Sequence, residues 1–193
     1  TNGRVWVSRM RHWVMLGACD PSMGKGESSH PSAILVGGYD VGSRQLNIIE
    51  AAVKRRVPSK LRADLIAAQR EYRCIAWGFE NNNAYEFMRQ EFVRAAMDEG
   101  VALPLMPVTT TADRYVRIDS IEPYVNDAFE PRILLHASLA ALLDELDTWP
   151  QPQTHHDYDG LSALEILWTI SLKRAVKMEY QSGGKARGSR GGF

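Results

Sequence analysis

The sequence predicts an α/β fold in which a mixed sheet is flanked by helices. Three apolar segments near the start are typical of strands, and a polar turn joins the second to the third. Helical patterns then alternate with short apolar segments, and the chain ends in helices. Strands followed by alternating helices and strands indicate a mixed sheet covered by helices.

The strands are predicted from apolar runs that turn residues interrupt. The expected segments are 13–19, 33–39, 45–50, 74–79, 101–108 and 132–135. The first run is apolar throughout, which is typical of a central strand buried on both faces. The first three form an antiparallel meander around the turn at 40–44, and two prolines in 101–108 indicate an edge strand.

The helices are predicted from apolar spacing and end signals. The expected segments are 59–73, 83–99, about 112–125, 138–146 and about 159–178. Ser59 and Asn83 are suitable N-caps, and Gly100 is a suitable stop for the second helix. We therefore expect one domain over residues 1–181 and a disordered basic, Gly-rich tail over 182–193.

Composition limits the possible partners. The chain has 193 residues and no formal net charge, so local basic patches must hold any polyanion. No apolar run is long enough for a bilayer, and no signal peptide is visible. Cys19 and Cys74 fall in apolar segments without a metal-binding spacing, which favours buried thiols. The start at Thr1 indicates an excised or processed product.

Acidic residues stand at the ends of three apolar segments. Asp20 follows the first strand, Glu80 ends the fourth, and Asp157 and Asp159 precede the last helix. A strand that ends in an acidic residue delivers the charge to the rim of its sheet. Three such rims brought together would form an oxygen-rich site for Mg²⁺ or Mn²⁺. Such a site suits metal-assisted attack of water on a phosphodiester.

Each acidic motif also has a structural explanation. Asp20 begins an Asp-Pro-Ser turn, Glu80 suits the first turn of a helix, and Asp159 suits an N-cap. The segment 24–26 (Gly-Lys-Gly) resembles a phosphate loop, but the Walker pattern needs Gly at 19 and Ser or Thr at 26. ATP hydrolysis is therefore not expected.

Three basic stretches could bind DNA, and the third of them, the Lys- and Arg-rich C-terminus from Lys173 to Arg190, is the competing explanation for binding through a folded groove. The first is Lys54, Arg55 and Arg56, between the third strand and the first helix. The second is Arg114 and Arg117, one turn apart on one helix. Solvated surface charge explains each group equally well. Near a carboxylate cluster, however, these cations would position a phosphate backbone.

The motifs in this order resemble the C-terminal nuclease domain of the large terminase subunit of tailed bacteriophages. The matching segments are Asp20-Pro21-Ser22, Gly24-Lys25-Gly26, Glu80-Asn81-Asn82, Asp159 with Ser162-Ala163-Leu164, and Arg114 to Ile118. The resemblance extends over residues 13–175 and implies an RNase H-like fold. It also implies a metal-dependent endonuclease that cuts concatemeric viral double-stranded DNA during genome packaging.

The resemblance assigns roles to the acidic residues. Asp20 would bridge two Mg²⁺ or Mn²⁺ ions, and Glu80 and Asp159 would each complete one coordination shell. The family often has His-Asp-Asp before its last motif, and alignment places the second Asp on Asp159. Asp157 stands in the position of the His and is the second choice.

The resemblance also implies partners. These are double-stranded DNA, an ATPase motor domain normally on the same polypeptide, the portal and the small terminase subunit. The implied location is the cytoplasm of an infected bacterium, and no membrane partner is expected. The alternatives are another RNase H-like nuclease, a transposase or resolvase, or a non-catalytic DNA-binding module whose carboxylates cap helices. Divalent-dependent cleavage of plasmid DNA separates the enzymes from the module.

Overall fold

A six-stranded mixed sheet lies at the centre of the structure. The computed structural model describes residues 12–21, 31–81, 83–109, 111–150 and 158–186, with 83–84 and 175–186 described by their backbone alone. The strands are β1 (Trp13–Asp20), β2 (Ser32–Asp40), β3 (Gln45–Lys54), β4 (Ala76–Glu80), β5 (Leu105–Val108) and β6 (Ile133–Leu135).

The strand order across the sheet is β5-β4-β1-β2-β3-β6. Antiparallel pairing joins β1 to β2 and β2 to β3, whereas β4, β5 and β6 run parallel to β1, β4 and β3 respectively. The predicted α/β fold with an antiparallel meander and additional parallel strands is therefore confirmed. β1 is central and β5 is an edge strand, as the sequence predicted.

Helices cover both faces of the sheet. They are α1 (Pro58–Tyr72), α2 (Asn83–Asp98), α3 (Arg114–Asp119), α4 (Glu122–Val125), α5 (Ala140–Thr148) and α6 (Asp159–Ala186). The apolar residues of α1 and α2 pack on one face, and those of α3 to α6 pack on the other. β1 supplies Leu16 to the α6 side and Met15 to the α1 side, which explains its uninterrupted apolar sequence.

Gly78 allows α6 to approach the sheet closely. A Cβ at this position would lie 2.5 Å from Cγ2 of Ile166, well inside van der Waals contact. Because Gly78 is on β4 and Ile166 on α6, this contact sets the distance between the two elements. Glu80 ends β4 and Asp159 begins α6, so the same packing determines where both carboxylates lie.

Three helix boundaries differ from the prediction. The single helix expected over 112–125 is two short helices, because Pro123 has no N–H to donate to the Asp119 carbonyl four residues earlier. Ser59 does not cap α1, which begins with Pro58 at its first position after Val57. α6 continues to Ala186, so residues 182–186 of the predicted tail are helical.

None of the helices in these described ranges has the length and apolar character that crossing a membrane requires. Cys19 and Cys74 are buried and carry free thiols. Burial is the main cause that raises the pKa of the Cys19 thiol, and the nearby negative charge of Asp20 raises it further. This cysteine is therefore held in its neutral form as part of the apolar core.

Candidate active site

Asp20 and Glu80 lie side by side at one edge of the sheet. Each is the last residue of its strand, and β1 and β4 are parallel neighbours with Cys19 opposite Phe79. Parallel strands end at the same edge, so the two carboxyl groups come together and share a hydrogen bond. Asp20 is only 5% exposed, so little water reaches it.

Asp159 approaches the same edge from the helical layer. It is the first residue of α6, which lies across β1, β2 and β4, and it is also 5% exposed. Arg114 of α3 joins it to Asp20: one guanidinium nitrogen, Nη2, lies 2.5 Å from Asp159 Oδ1 and 3.5 Å from Asp20 Oδ2. The fold thus gathers the three carboxylates that the sequence singled out.

Arg117 makes a second pair of contacts in this cluster. Its Nη1 atom lies 2.8 Å from Glu165 Oε2, and its Nη2 atom lies 3.4 Å from Glu80 Oε1. Glu165, on α6, also accepts a hydrogen bond of 2.8 Å from Thr169. Arg114 and Arg117, two of the four arginines that were predicted to bind DNA, thus contact the acidic cluster in this structure.

The sequence interpretation did not assign Glu165 to the site, although a signal was available. Glu165 is the only charged residue between positions 160 and 172, in an otherwise apolar and small-residue helix. A single charge on a buried helix requires a partner, and here Arg117 provides it.

The cluster carries more negative than positive charge. If all four carboxyl groups of Asp20, Glu80, Asp159 and Glu165 are ionised, their pairing with only two guanidinium groups leaves two formal negative charges. The pKa of Asp20 is held well above its usual range, first because the carboxyl is buried and then because Glu80 and Asp159 are close; Arg114 acts in the opposite direction. An additional cation would relieve this repulsion.

The donor chemistry fits a hard divalent cation. All four acidic side chains offer carboxylate oxygens, the ligands that Mg²⁺ and Mn²⁺ prefer, and the excess charge is negative. However, no group of three or more acidic, His or Cys side chains within the described ranges has an arrangement that could hold a metal ion. In this structure the guanidinium of Arg114 contacts both Asp20 and Asp159.

Glu145 of α5 is a further acidic residue beside the cluster. It is 9% exposed and accepts hydrogen bonds from the backbone of Gly160 and Leu161. Burial raises its pKa to about 7, and the charge of Asp159 contributes, although the two N–H groups act in the opposite direction. The sequence carries a signal for this burial. Glu145 follows Leu142 by three residues and so lies on the same, apolar side of α5.

The first basic group divides into two parts. Lys54 and Arg55 are exposed and remain candidates for phosphate contacts. Arg56 is buried, and its guanidinium bonds to Asp64, to the Ser32 carbonyl and hydroxyl, and to the Ala52 and Lys54 carbonyls. These donors are therefore committed to the protein in this structure, and DNA binding by Arg56 stays a prediction that these contacts do not support.

Three predicted features lie outside the described residues. They are Asp157, the second choice for the third ligand, the segment 24–26, which resembles a phosphate loop, and residues 187–193 of the predicted tail.

Comparisons with solved structures identify the fold. The chain is similar to the nuclease domain of the P22 large terminase, with a TM-score of 0.62 and 12% identity over 87% of this chain and 85% of that one. It is also similar to the nuclease domain of the large terminase subunit of bacterial virus Sf6, solved with manganese, with a TM-score of 0.54 and 9% identity over 80% and 87%.

A third similar structure is the fowlpox virus Holliday junction resolvase, with a TM-score of 0.50 and 10% identity over 84% of this chain and 99% of that one. No protein-family model and no curated protein matches the sequence. At such low sequence identities, the similarity shows a shared backbone fold alone. The chain therefore has the RNase H-like fold that the terminase nuclease domains also have.

Proposed function

We propose that this chain is a divalent-metal-dependent endonuclease domain of the terminase type, which cuts concatemeric double-stranded viral DNA during genome packaging. The observation that carries the proposal is the meeting of Asp20, Glu80 and Asp159 at one edge of an RNase H-like sheet. The fold shared with two terminase nuclease domains supports it.

Asp20, Glu80 and Asp159 would hold two Mg²⁺ or Mn²⁺ ions. Asp20 would help to hold the ions together with both other carboxylates, because it is hydrogen-bonded to Glu80 on one side and shares Arg114 with Asp159 on the other. Bound there, the ions would activate water and stabilise the charge on the leaving oxygen.

Arg114 and Arg117 would have two roles in this scheme. Without metal they offset part of the negative charge of the cluster. Metal ions would supply that positive charge instead. Arg114, whose side chain is 36% exposed, could then donate to a phosphate oxygen of the DNA, whereas Arg117 is only 11% exposed and suits a positioning role.

The proposed partners follow from the terminase resemblance. They are double-stranded DNA, an ATPase motor domain normally on the same polypeptide, the portal and the small terminase subunit, in the cytoplasm of the infected bacterium. Exposed Lys54 and Arg55, together with Arg114, are the candidate contacts to the phosphate backbone.

A plasmid assay tests the proposed activity. Supercoiled plasmid is incubated with the chain and Mn²⁺ or Mg²⁺, with EDTA in parallel. Asp20→Asn is the inactive variant, and Asp144→Asn is the matched control, since Asp144 is exposed on α5. We expect metal-dependent nicking by the wild type and the control only. Equal nicking by Asp20→Asn, or none by the wild type, would contradict the proposal.

A second pair of variants tests the third ligand. Asp159→Asn should reduce cleavage far more than Asp157→Asn, because Asp159 is fixed at the start of a buried helix and is joined to Asp20 through Arg114. Cleavage rates under saturating Mn²⁺ decide this. If Asp157→Asn alone loses activity, the third ligand is Asp157 and not Asp159.

A junction-resolving nuclease is the second candidate, because the fowlpox virus resolvase has a similar fold. The two candidates differ in substrate. A terminase-type nuclease should cleave a linear duplex and a four-way junction of the same sequences at comparable rates, whereas a resolvase should cleave only the junction. Rates on both substrates at equal DNA concentration separate them.

A further inference from the structure

The first turn of α6 is capped from another helix. The first N–H groups of a helix have no partner within it, and the side chain of the preceding residue commonly accepts one of them. Tyr158 stands in that place, but its hydroxyl donates to the Thr148 carbonyl at 3.0 Å. Glu145 of α5 provides the cap instead.

Glu145 uses both carboxylate oxygens for this purpose. Oε1 accepts from the Gly160 backbone N–H at 3.2 Å, and Oε2 accepts from the Leu161 N–H at 2.9 Å. These are the two residues that directly follow Asp159. A carboxylate bound to two successive N–H groups fixes both the position and the direction of the turn. It thereby fixes the backbone that carries the Asp159 side chain.

The space at residue 160 is shaped for this contact. A Cβ at Gly160 would lie 2.9 Å from Glu145 Oε2 and 2.9 Å from Cγ2 of Val53. Any larger residue would therefore require Glu145, Val53 or α6 to shift. The absence of a side chain at 160 thus allows the buried carboxylate of Glu145 to lie against the start of α6.

We propose that Glu145 is a positioning residue, which holds the first turn of α6 so that Asp159 can bind a metal ion together with Asp20. This inference rests on the proposed metal-dependent function. Groups that orient metal ligands typically change metal affinity by about 10–100-fold when they are lost. A cap that served stability alone would lower the free energy of unfolding and leave the Mn²⁺ affinity of the folded protein unchanged.

The test is a Mn²⁺ titration of the full chain without DNA, in which the electron paramagnetic resonance signal of free Mn²⁺ is monitored. Glu145→Gln keeps the size of the side chain but can accept only one of the two N–H groups, since its amide nitrogen is a donor. We expect it to weaken Mn²⁺ binding about 10-fold. Asp144→Asn, an exposed neighbour on the same helix, should bind Mn²⁺ as the wild type does.

A double-mutant cycle shows whether the effect passes through Asp159. In an Asp159→Asn background, Glu145→Gln should cause no further loss of Mn²⁺ affinity, because the ligand that it positions is gone. Thermal unfolding of each variant confirms that the titrated protein is folded. If Glu145→Gln does not fold, Gly160→Ala disturbs the same contact from the other side and should weaken Mn²⁺ binding in the same way.

The outcomes separate this inference from the proposed function. Asp20→Asn should abolish Mn²⁺ binding, which shows that the measured ion occupies the proposed site. Given that result, a normal Mn²⁺ affinity in folded Glu145→Gln overturns the positioning role alone. So does a loss of Mn²⁺ affinity that is equally large with Asp159 and with Asn at position 159. If the wild type does not bind Mn²⁺, both the metal-dependent function and the positioning role are wrong.

Discussion

At the scale of single residues, Asp20 is a buried carboxyl group whose charged form is destabilised by its surroundings. It is buried, hydrogen-bonded to Glu80 and close to Asp159, so its pKa lies well above the ordinary value of 3.8. The folded state therefore holds this proton more tightly than the unfolded state does. The contribution of Asp20 to stability consequently falls as pH rises from its unfolded pKa through its folded pKa.

Asp20→Asn should remove this loss of stability at higher pH, because the amide does not ionise. In EDTA, the variant should melt at a higher temperature than the wild type at pH 7.5, by about 2–4 °C for each kcal/mol gained. The difference should shrink at pH 4, where the wild-type carboxyl is largely protonated. Thermal melts at both pH values check this. A large loss of stability at pH 7.5 would instead give Asp20 a structural role.

Arg114 should have opposite effects on stability and on metal binding. Arg114→Gln leaves buried Asp20 and Asp159 without their shared cation, so the metal-free protein should lose about 1–3 kcal/mol. Its Mn²⁺ affinity should rise, because no guanidinium remains between the two carboxylates. Urea unfolding in EDTA and a Mn²⁺ titration measure the two effects. Weaker Mn²⁺ binding would show that Arg114 helps to form the metal site.

At the scale of elements, Arg56 connects β2, β3 and α1. It bonds to Ser32 on β2, to Ala52 and Lys54 on β3, and to Asp64 on α1. Its neighbour Arg55 is exposed. Of these two adjacent residues, Arg56 is therefore structural and Arg55 is a candidate DNA contact.

Arg56→Ala should cost about 1–3 kcal/mol of stability, because it leaves the buried carbonyl acceptors of Ser32 and Ala52 without their donor, whereas Asp64 keeps its ion pair with Lys60. Arg55→Ala should change stability by less than about 0.5 kcal/mol. It should instead reduce the slope of log DNA affinity against log salt by about one unit. Urea unfolding and DNA binding at several salt concentrations test both statements. An unchanged slope would remove Arg55 from the proposed DNA surface.

The same elements show what local sequence patterns can predict. The apolar runs predicted the order and type of the strands, because a strand buried on both faces is mostly apolar. The break at Pro123 was also predictable, since the missing N–H is a local property. The burial of Arg56 was not, because the run 54–56 looks uniformly basic and only the tertiary packing distinguishes its members.

At the scale of the whole molecule, the candidate site is made by long-range contacts. Arg114 reaches Asp20 over 94 positions and Asp159 over 45 positions of sequence. Local patterns placed Asp20 and Glu80 at strand ends, but only the family resemblance suggested that they meet Asp159. The arginine pairs and the Glu145 cap could not be predicted, because they depend on how α3 and α5 pack against α6.

The central claim is that Asp20, Glu80 and Asp159 together form a divalent metal site. Its most direct test is a crystal structure of the chain soaked in Mn²⁺, with anomalous differences recorded to locate the metal. We expect anomalous density in contact with Asp20 and with Glu80 or Asp159, and a guanidinium of Arg114 that has moved from between Asp20 and Asp159. Density elsewhere, or an empty cluster with Arg114 still bridging the two carboxylates at saturating Mn²⁺, would contradict the account.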